Sequence, residues 1–241
     1  MLNQFSRTEL LIGTDGIKKL SEAKVAIFGI GGVGSFVVEG LVRAGIEKIV
    51  LIDNDNIELT NLNRQIHATH STLGKSKVNV MEQRILDINP NAKVEKFKEF
   101  YLPDNSEKMI NKDYTYIVDA IDTVTAKIDL IEKANKLNIP IISCMGTGNK
   151  MNPTMLEVTD IYKTSECPLA KVIRQEMRKR NIKKLKVVYS REKPIEHKQM
   201  QDYEEKTNKR QTPGSISFVP SVAGMIIASE VVKDILKNEV Q

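Results

Sequence analysis

The chain has 241 residues, 41% hydrophobic and 28% charged, with 36 Lys and Arg against 31 Asp and Glu for a net charge of +5. That length gives one large domain, or one domain with an appended lobe, and enough chain to bury a full core. The two cysteines, Cys144 and Cys167, form no C-x-x-C pair, which excludes a disulfide framework and a four-thiolate zinc site, so no zinc is expected.

The start, Met1 to Arg7, is polar and lacks signal-peptide character. Residues 25–28 read as a buried strand that runs into Gly29, Gly31, Gly32 and Gly34 and then a helix over 33–44, whose Val37, Val38, Leu41 and Val42 can face a sheet. This strand–turn–helix opening lets backbone approach phosphates at a helix N-terminus. A second strand, 49–52, ends at Asp53, nineteen residues beyond Gly34, the spacing of a carboxylate on a ribose hydroxyl. Asn61, Arg64 and Gln65 follow, a polar and cationic cluster that a nicotinamide dehydrogenase does not need.

Further on, 75–88 reads as a helix with Val78, Met81, Ile85 and Ile88 spaced by three and four. A more polar strand is expected over 93–100, and a buried one over 116–121 ending in Asp122. A helix over 125–137 and a strand over 140–144 lead to Gly146 and Gly148. Strands over 155–162 and 185–189 bracket a helix over 168–180, with Leu169, Val172, Ile173 and Met177 on one face and Lys171, Arg174 and Arg178 on another. Residues 193–210 lack apolar periodicity and read as a mobile loop. The last helix, 221–237, sits in an apolar stretch interrupted by Pro220, Glu230, Lys233 and Asp234, so no integral membrane span is expected and the cytoplasm is the default.

Repeated strand–helix–strand units predict an α/β fold, a doubly wound, Rossmann-like, mostly parallel sheet with a C-terminal mixed extension. Gly29, Asp53, Asp122 and Gly146 then all fall at the carboxyl ends of strands, where such sheets bind ligands. Charge is uneven. Residues 163–210 hold fifteen Lys and Arg against seven Asp and Glu, a net of +8 that leaves −3 elsewhere. The peak is Lys171, Arg174, Arg178, Lys179, Arg180, Lys183, Lys184, Lys186 and Arg191, facing the single acid Glu176. Such a run fits a polyanion partner, or a solvated helix face.

Together Phe5–Arg7, Gly29–Gly34, Asp53–Asp55, Asn61–Gln65, Gly74–Lys77 and Asp119–Asp122 resemble the ubiquitin-activating-like adenylating (ThiF/MoeB/HesA-type) family, from about Phe5 to Gly148. The resemblance implies that the glycine loop cradles ATP, that Asp53 holds the ribose with Asp55 beside it, and that Asn61, Arg64 and Lys77 contact phosphates. It implies that Asp122 supports Mg2+ and that Arg7 reaches a neighbouring subunit's site in a homodimer. Lys75 reads as a solvated helix-start lysine. His67 and His70 read as loop supports or solvent-facing groups, and Cys144 as a small core residue.

Members that activate sulfur carriers usually carry two C-x-x-C pairs, absent here. Glu157–Asp160, Lys163–Ser165, Pro168–Ala170, Lys186–Glu192 and Gly214–Pro220 instead resemble the tRNA threonylcarbamoyladenosine dehydratases, which extends the likeness over nearly the whole chain. Residues 1–150 then form the adenylation region and 151–241 an extension with a basic, tRNA-facing segment, read as one continuous domain. The expected reaction is ATP-dependent cyclisation of the threonylcarbamoyl group. Three alternatives stay open: adenylation of a ubiquitin-like sulfur carrier's C-terminal glycine, a nicotinamide oxidoreductase, and a silent tRNA-binding scaffold. A monovalent cation near Gly146–Gly148 and a sulfur-transfer or cysteine-desulfurase partner also stay open.

Overall fold

The computed structural model describes residues 2–196 and 213–237. Its strands are β1 (Lys24–Phe28), β2 (Lys48–Ile52), β3 (Lys93–Phe97), β4 (Tyr116–Asp119), β5 (Ile141–Cys144), β6 (Leu156–Asp160) and β7 (Lys186–Ser190). They form one seven-stranded sheet in the order β3-β2-β1-β4-β5-β7-β6. All pairs are parallel except β6 with β7. The mostly parallel, doubly wound sheet with a mixed C-terminal end is therefore as the sequence predicts.

The central strands are nearly continuous apolar runs because helices cover both faces of a parallel sheet. In β1 and β2 every residue after the leading lysine is buried. The outermost β3 is polar and mostly exposed, as an edge strand that avoids further pairing must be. On one face lie α2 (Gly34–Ala44), α3 (Lys77–Ile88) and α6 (Phe218–Lys237). On the other lie α4 (Val124–Lys136) and α5 (Pro168–Lys179). β7 of the C-terminal extension pairs with β5, and α6 packs on α2, so the two sequence regions share one sheet and one core.

Several boundaries differ from expectation for definite reasons. An N-terminal helix, α1 (Ser6–Glu22), is absent from the sequence reading; it is kinked at Gly13, which has φ 72° and ψ 172°. That glycine breaks the periodicity by which a helix is recognised. β3 stops at Phe97, and β4 stops at Asp119, so Asp122 lies on the turn beyond the strand. Val172 is exposed on α5, whose buried face is Ala170, Ile173 and Met177. α6 begins at Phe218 and carries Pro220 in its first turn, where the missing N–H costs nothing. The loop predicted over 193–210 falls mostly outside the described residues; 193–196 form neither helix nor strand.

Candidate nucleotide-binding site

The carboxyl ends of β1, β2 and β4 open into a cleft of about 570 Å³ lined by Gly29, Gly31, Gly32, Asp53, Asp55, Asn61, Arg64, Lys77 and Asp122, among others. Nine sequence-selected positions thus converge on one concavity. The turn after β1 requires glycine at two places for packing alone. Gly29 has φ +88°, and a Cβ there would lie 2.6 Å from the Ala120 carbonyl oxygen. A Cβ on Gly34 would lie 1.8 Å from the Gly29 oxygen. Gly31 is different, because a Cβ there would meet only Gln65 Nε2 at 3.9 Å. Protein packing does not demand that glycine, whereas close approach of a phosphate to the backbone does.

Asp53 is fixed beneath this turn. Its Oδ2 accepts from Ile30 N–H at 2.7 Å and its Oδ1 from Asp55 N–H at 2.9 Å. Burial raises its pKa, with neighbouring Asp55 adding to the rise, while Lys77 and the two backbone donors oppose it. Lys77, at the first residue of α3, is buried and sits 2.7 Å from Asp55 Oδ2 and 3.9 Å from Asp53 Oδ1. Lys75 lies before the helix and does not line the cleft.

Asn61 is buried in the loop after β2, with Oδ1 accepting from Glu58 N–H at 3.0 Å, which leaves its N–H2 group as a donor. The Arg64 stem lies over Gly32, and its Nη1 donates to Thr60 O at 2.9 Å and Asn63 Oδ1 at 2.8 Å. Burial lowers its pKa. Arg64 has no acidic partner among the described residues, so its guanidinium keeps donors for an anion. Asp122 is exposed and, among the described residues, engaged only by the Thr123 hydroxyl at 3.4 Å. Its carboxylate faces the cleft with nearly all its acceptor capacity.

Arg7 lies on α1, exposed and away from its own chain's cleft. His67 is buried, and among the described residues neither ring nitrogen has a hydrogen-bond partner. Burial, with Lys77 and Arg84 nearby, lowers its pKa to about 4. It is therefore a neutral loop support. His70 is exposed. Cys144 is buried at the end of β5, and burial pushes its thiol up to about 12. That protonated thiol is a poor nucleophile. Among the described residues no group of His, Cys, Asp or Glu forms a metal cluster of its own.

The predicted basic run does not converge. Gly146, just past the carboxyl end of β5, has Cys167 at the start of α5 beside it, with Sγ 3.7 Å from where a Cβ would be. From there α5 descends, over about 18 Å for twelve residues. Arg178 stacks over Tyr162 at 5.6 Å, and Ile161 N–H donates to Leu185 O, beside the amino end of β7. Arg178, Lys179, Arg180, Lys183, Lys184 and Lys186 thus gather at the amino edge, opposite the cleft. Much of this charge is paired: Lys179 and Arg180 with Glu176, Arg180 also with Glu132, Lys186 with Glu230 and Asp234, and Arg191 with Glu157. Arg174 donates to Thr164. Lys171 and Lys184 have no ion pair among the described residues.

Cleft residues that the sequence reading did not assign to the site include Glu99, Phe100, Tyr101, Thr147, Ser215 and Pro220. An aromatic pair just after an edge strand is the local signal for Phe100 and Tyr101. Ser215 and Pro220 arrive from the far end of the chain, and only the fold brings them in. Tyr101 stacks edge-on with Phe28 at 5.1 Å and donates to Asp129 at 2.7 Å, so an apolar wall stands opposite the cationic one.

A doubly wound α/β sheet with a glycine turn, a ribose-type carboxylate and two cations at its carboxyl edge defines a nucleotide-binding protein. The ThiF family model matches residues 5–241, and the chain belongs to that family. The tRNA threonylcarbamoyladenosine dehydratase of Bacillus subtilis is 45% identical over 245 residues, 99% of this chain and 96% of that protein. The crystal structure of Escherichia coli tRNA N6-threonylcarbamoyladenosine dehydratase, TcdA, in complex with AMP superposes with a TM-score of 0.88 at 32% identity, covering 98% of this chain and 94% of that one. The same protein in complex with ATP gives 0.85. An adenylyltransferase and sulfurtransferase of Zea mays is 31% identical over 150 residues, 61% of this chain and 32% of that one.

Proposed function

We propose that this protein is an ATP-dependent tRNA threonylcarbamoyladenosine dehydratase. The observation that carries the reading is the convergence, in one cleft, of a phosphate-permissive Gly31, the anchored Asp53, and the cations Arg64 and Lys77. It is joined by a likeness to dehydratases along almost the whole chain.

In the first step a threonyl carboxylate oxygen attacks the α-phosphorus of ATP. A new P–O bond forms, the bond to the β-phosphate bridging oxygen breaks, and pyrophosphate leaves. Several negative charges meet, so the need is for preorganised cations. Arg64 forks two hydrogen bonds to phosphate oxygens, and Lys77 supplies a compact charge. The attacking carboxylate is already ionised, so no general base is required. In the second step a neighbouring group of the same modification attacks the activated carbonyl, AMP leaves, and the net change is loss of one water.

Asp122 offers a hard, exposed carboxylate beside the cleft, and a single carboxylate completed by phosphate oxygens is a normal Mg2+ environment. Asp122 would hold that ion, whose role is to neutralise phosphate charge. Arg7, exposed on α1, enters the cleft of a second copy in a homodimer.

The test is AMP release from ATP with tRNA that carries or lacks the threonylcarbamoyl group. AMP only with modified tRNA, and a nucleoside lighter by one water, are the expected results. Arg64→Ala should cut the rate about 100-fold or more, as loss of a transition-state charge partner does, while the fold persists. AMP formed instead with a ubiquitin-like protein carboxylate would overturn the reading in favour of a sulfur-carrier activator.

A further inference from the structure

Behind the cleft floor lies an ion pair that the adenylation chemistry does not itself use. Lys127, in the first turns of α4, and Asp119, the last residue of β4, are both fully buried, with Nζ 2.7 Å from Oδ2. The ammonium also donates to Ser143 Oγ at 3.2 Å and to Cys144 O at 2.9 Å, so its three hydrogens have three acceptors. Ser143 donates in turn to Asp119 Oδ2. The other carboxylate oxygen, Oδ1, accepts from Ile121 N–H at 3.2 Å.

A buried ion pair is a poor way to gain stability, since apolar residues of similar volume do as well or better. Its value lies in fixing geometry, and here the geometry belongs to the site. Asp119 and Cys144 end adjacent strands, with Asp119 paired in register with Ser143. The segment after Asp119 carries Ala120, Ile121, Asp122 and Thr123 into the cleft, and the segment after Cys144 carries Thr147. One ammonium therefore grips the roots of both loops. Ala120 O in turn faces Gly29 of the glycine turn.

We propose that Lys127, through Asp119 and Ser143, is a positioning residue: it holds the Asp122 turn and the Gly146–Gly148 loop at a fixed separation during adenylyl transfer. This rests on the adenylating function proposed above. A loop displaced by a fraction of an ångström leaves nucleotide binding nearly intact and misaligns the reacting atoms.

The experiment compares the doubly substituted Lys127→Met/Asp119→Asn protein with wild type, in AMP release with modified tRNA across ATP and Mg2+ concentrations. Removing both charges avoids an uncompensated buried ion. The expected result is a kcat lower by about 100-fold, the scale of misplacement by roughly 1 Å, with KM for ATP changed less than about threefold. Half-saturating Mg2+ rises. Ser143→Ala, which keeps the ion pair, covers the case of a double variant that does not fold. It should lower kcat by about threefold and raise half-saturating Mg2+, a modest share of the same misplacement, with the protein still folded at the assay temperature. Folded variants with unchanged kcat and Mg2+ dependence would overturn the proposal. The wild type and Arg64→Ala in the same assay separate the failures. No AMP from the wild type with modified tRNA means that the adenylation reading has failed, whereas AMP that is lost in Arg64→Ala but kept in the Lys127 and Ser143 variants defeats positioning alone.

Discussion

His67 shows what a single buried side chain costs. Folding removes its ring from water and places it near Lys77 and Arg84, so its pKa falls to about 4 from an ordinary 6.5. The unfolded chain thus binds a proton through a pH range in which the native protein does not. Stability falls as pH drops below the unfolded value, and the loss levels off below the native one. Between pH 7.5 and pH 5 this costs about 2 kcal/mol, from the difference between the two titrations. His67→Phe removes the ionisable group with little change of shape. Urea melts at the two pH values should show the wild type losing about 2 kcal/mol more than the variant. Equal losses would mean that native His67 binds its proton as readily as the unfolded chain does.

Among the elements, α2 and α6 approach each other closely through glycines. A Cβ on Gly224 would lie 2.5 Å from Val33 O and 2.8 Å from Phe36 Cβ, and one on Gly40 would lie 2.7 Å from Ala228 Cβ. Neither helix can accept even a methyl group without moving. Because Pro220 at the start of α6 touches Gly32 of the nucleotide turn, that movement reaches the cleft. Gly224→Ala should cost about 1–3 kcal/mol, the range for overpacking, and weaken ATP binding. Ser229→Ala, at an exposed position on the same helix, should do neither. Urea midpoints and an ATP titration of both variants check this. Helix faces of this kind were legible in sequence wherever apolar periodicity was unbroken: Val37, Val38, Leu41 and Val42 are all buried as expected. α1 was not legible, since Gly13 kinks it and Leu10 and Leu11 are exposed. The same contrast holds in the site. Gly29–Gly34, Asp53 and Asp122 each sit close to a strand end and could be read from local pattern, whereas Asn61, Arg64 and Lys77 are marked out by the family resemblance. Asp119, Lys127 and Ser143 meet only because β4 and β5 pair in one register, which no local pattern encodes.

For the whole molecule, the decisive quantity is where unpaired positive charge lies relative to the cleft. In sequence the nine cations from Lys171 to Arg191 look like one surface. In the fold, Lys171 lies in the first turn of α5, its N–H bonded to Cys167 O, and Cys167 abuts Gly146 at the carboxyl end of β5, whereas Lys184 sits at the amino edge with the capped helix ends. Helix C-termini favour cations for local reasons, since the macrodipole leaves partial negative charge there. Arg180 and Lys179 are, besides, already held by Glu176. A tRNA that delivers its modified adenosine to the cleft must bring backbone phosphates to the carboxyl edge. Each phosphate neutralised there contributes about 0.7–0.9 to the slope of log affinity against log salt. Lys171→Ala should therefore reduce that slope by about 1 and weaken binding of any tRNA alike, while Lys184→Ala and Arg180→Ala leave it unchanged. Filter binding of modified tRNA to the three variants across a salt series reads this directly. Equal slope losses for Lys171→Ala and Lys184→Ala would instead mean that the RNA wraps from the carboxyl edge to the amino edge, and that the whole basic run is one contact surface.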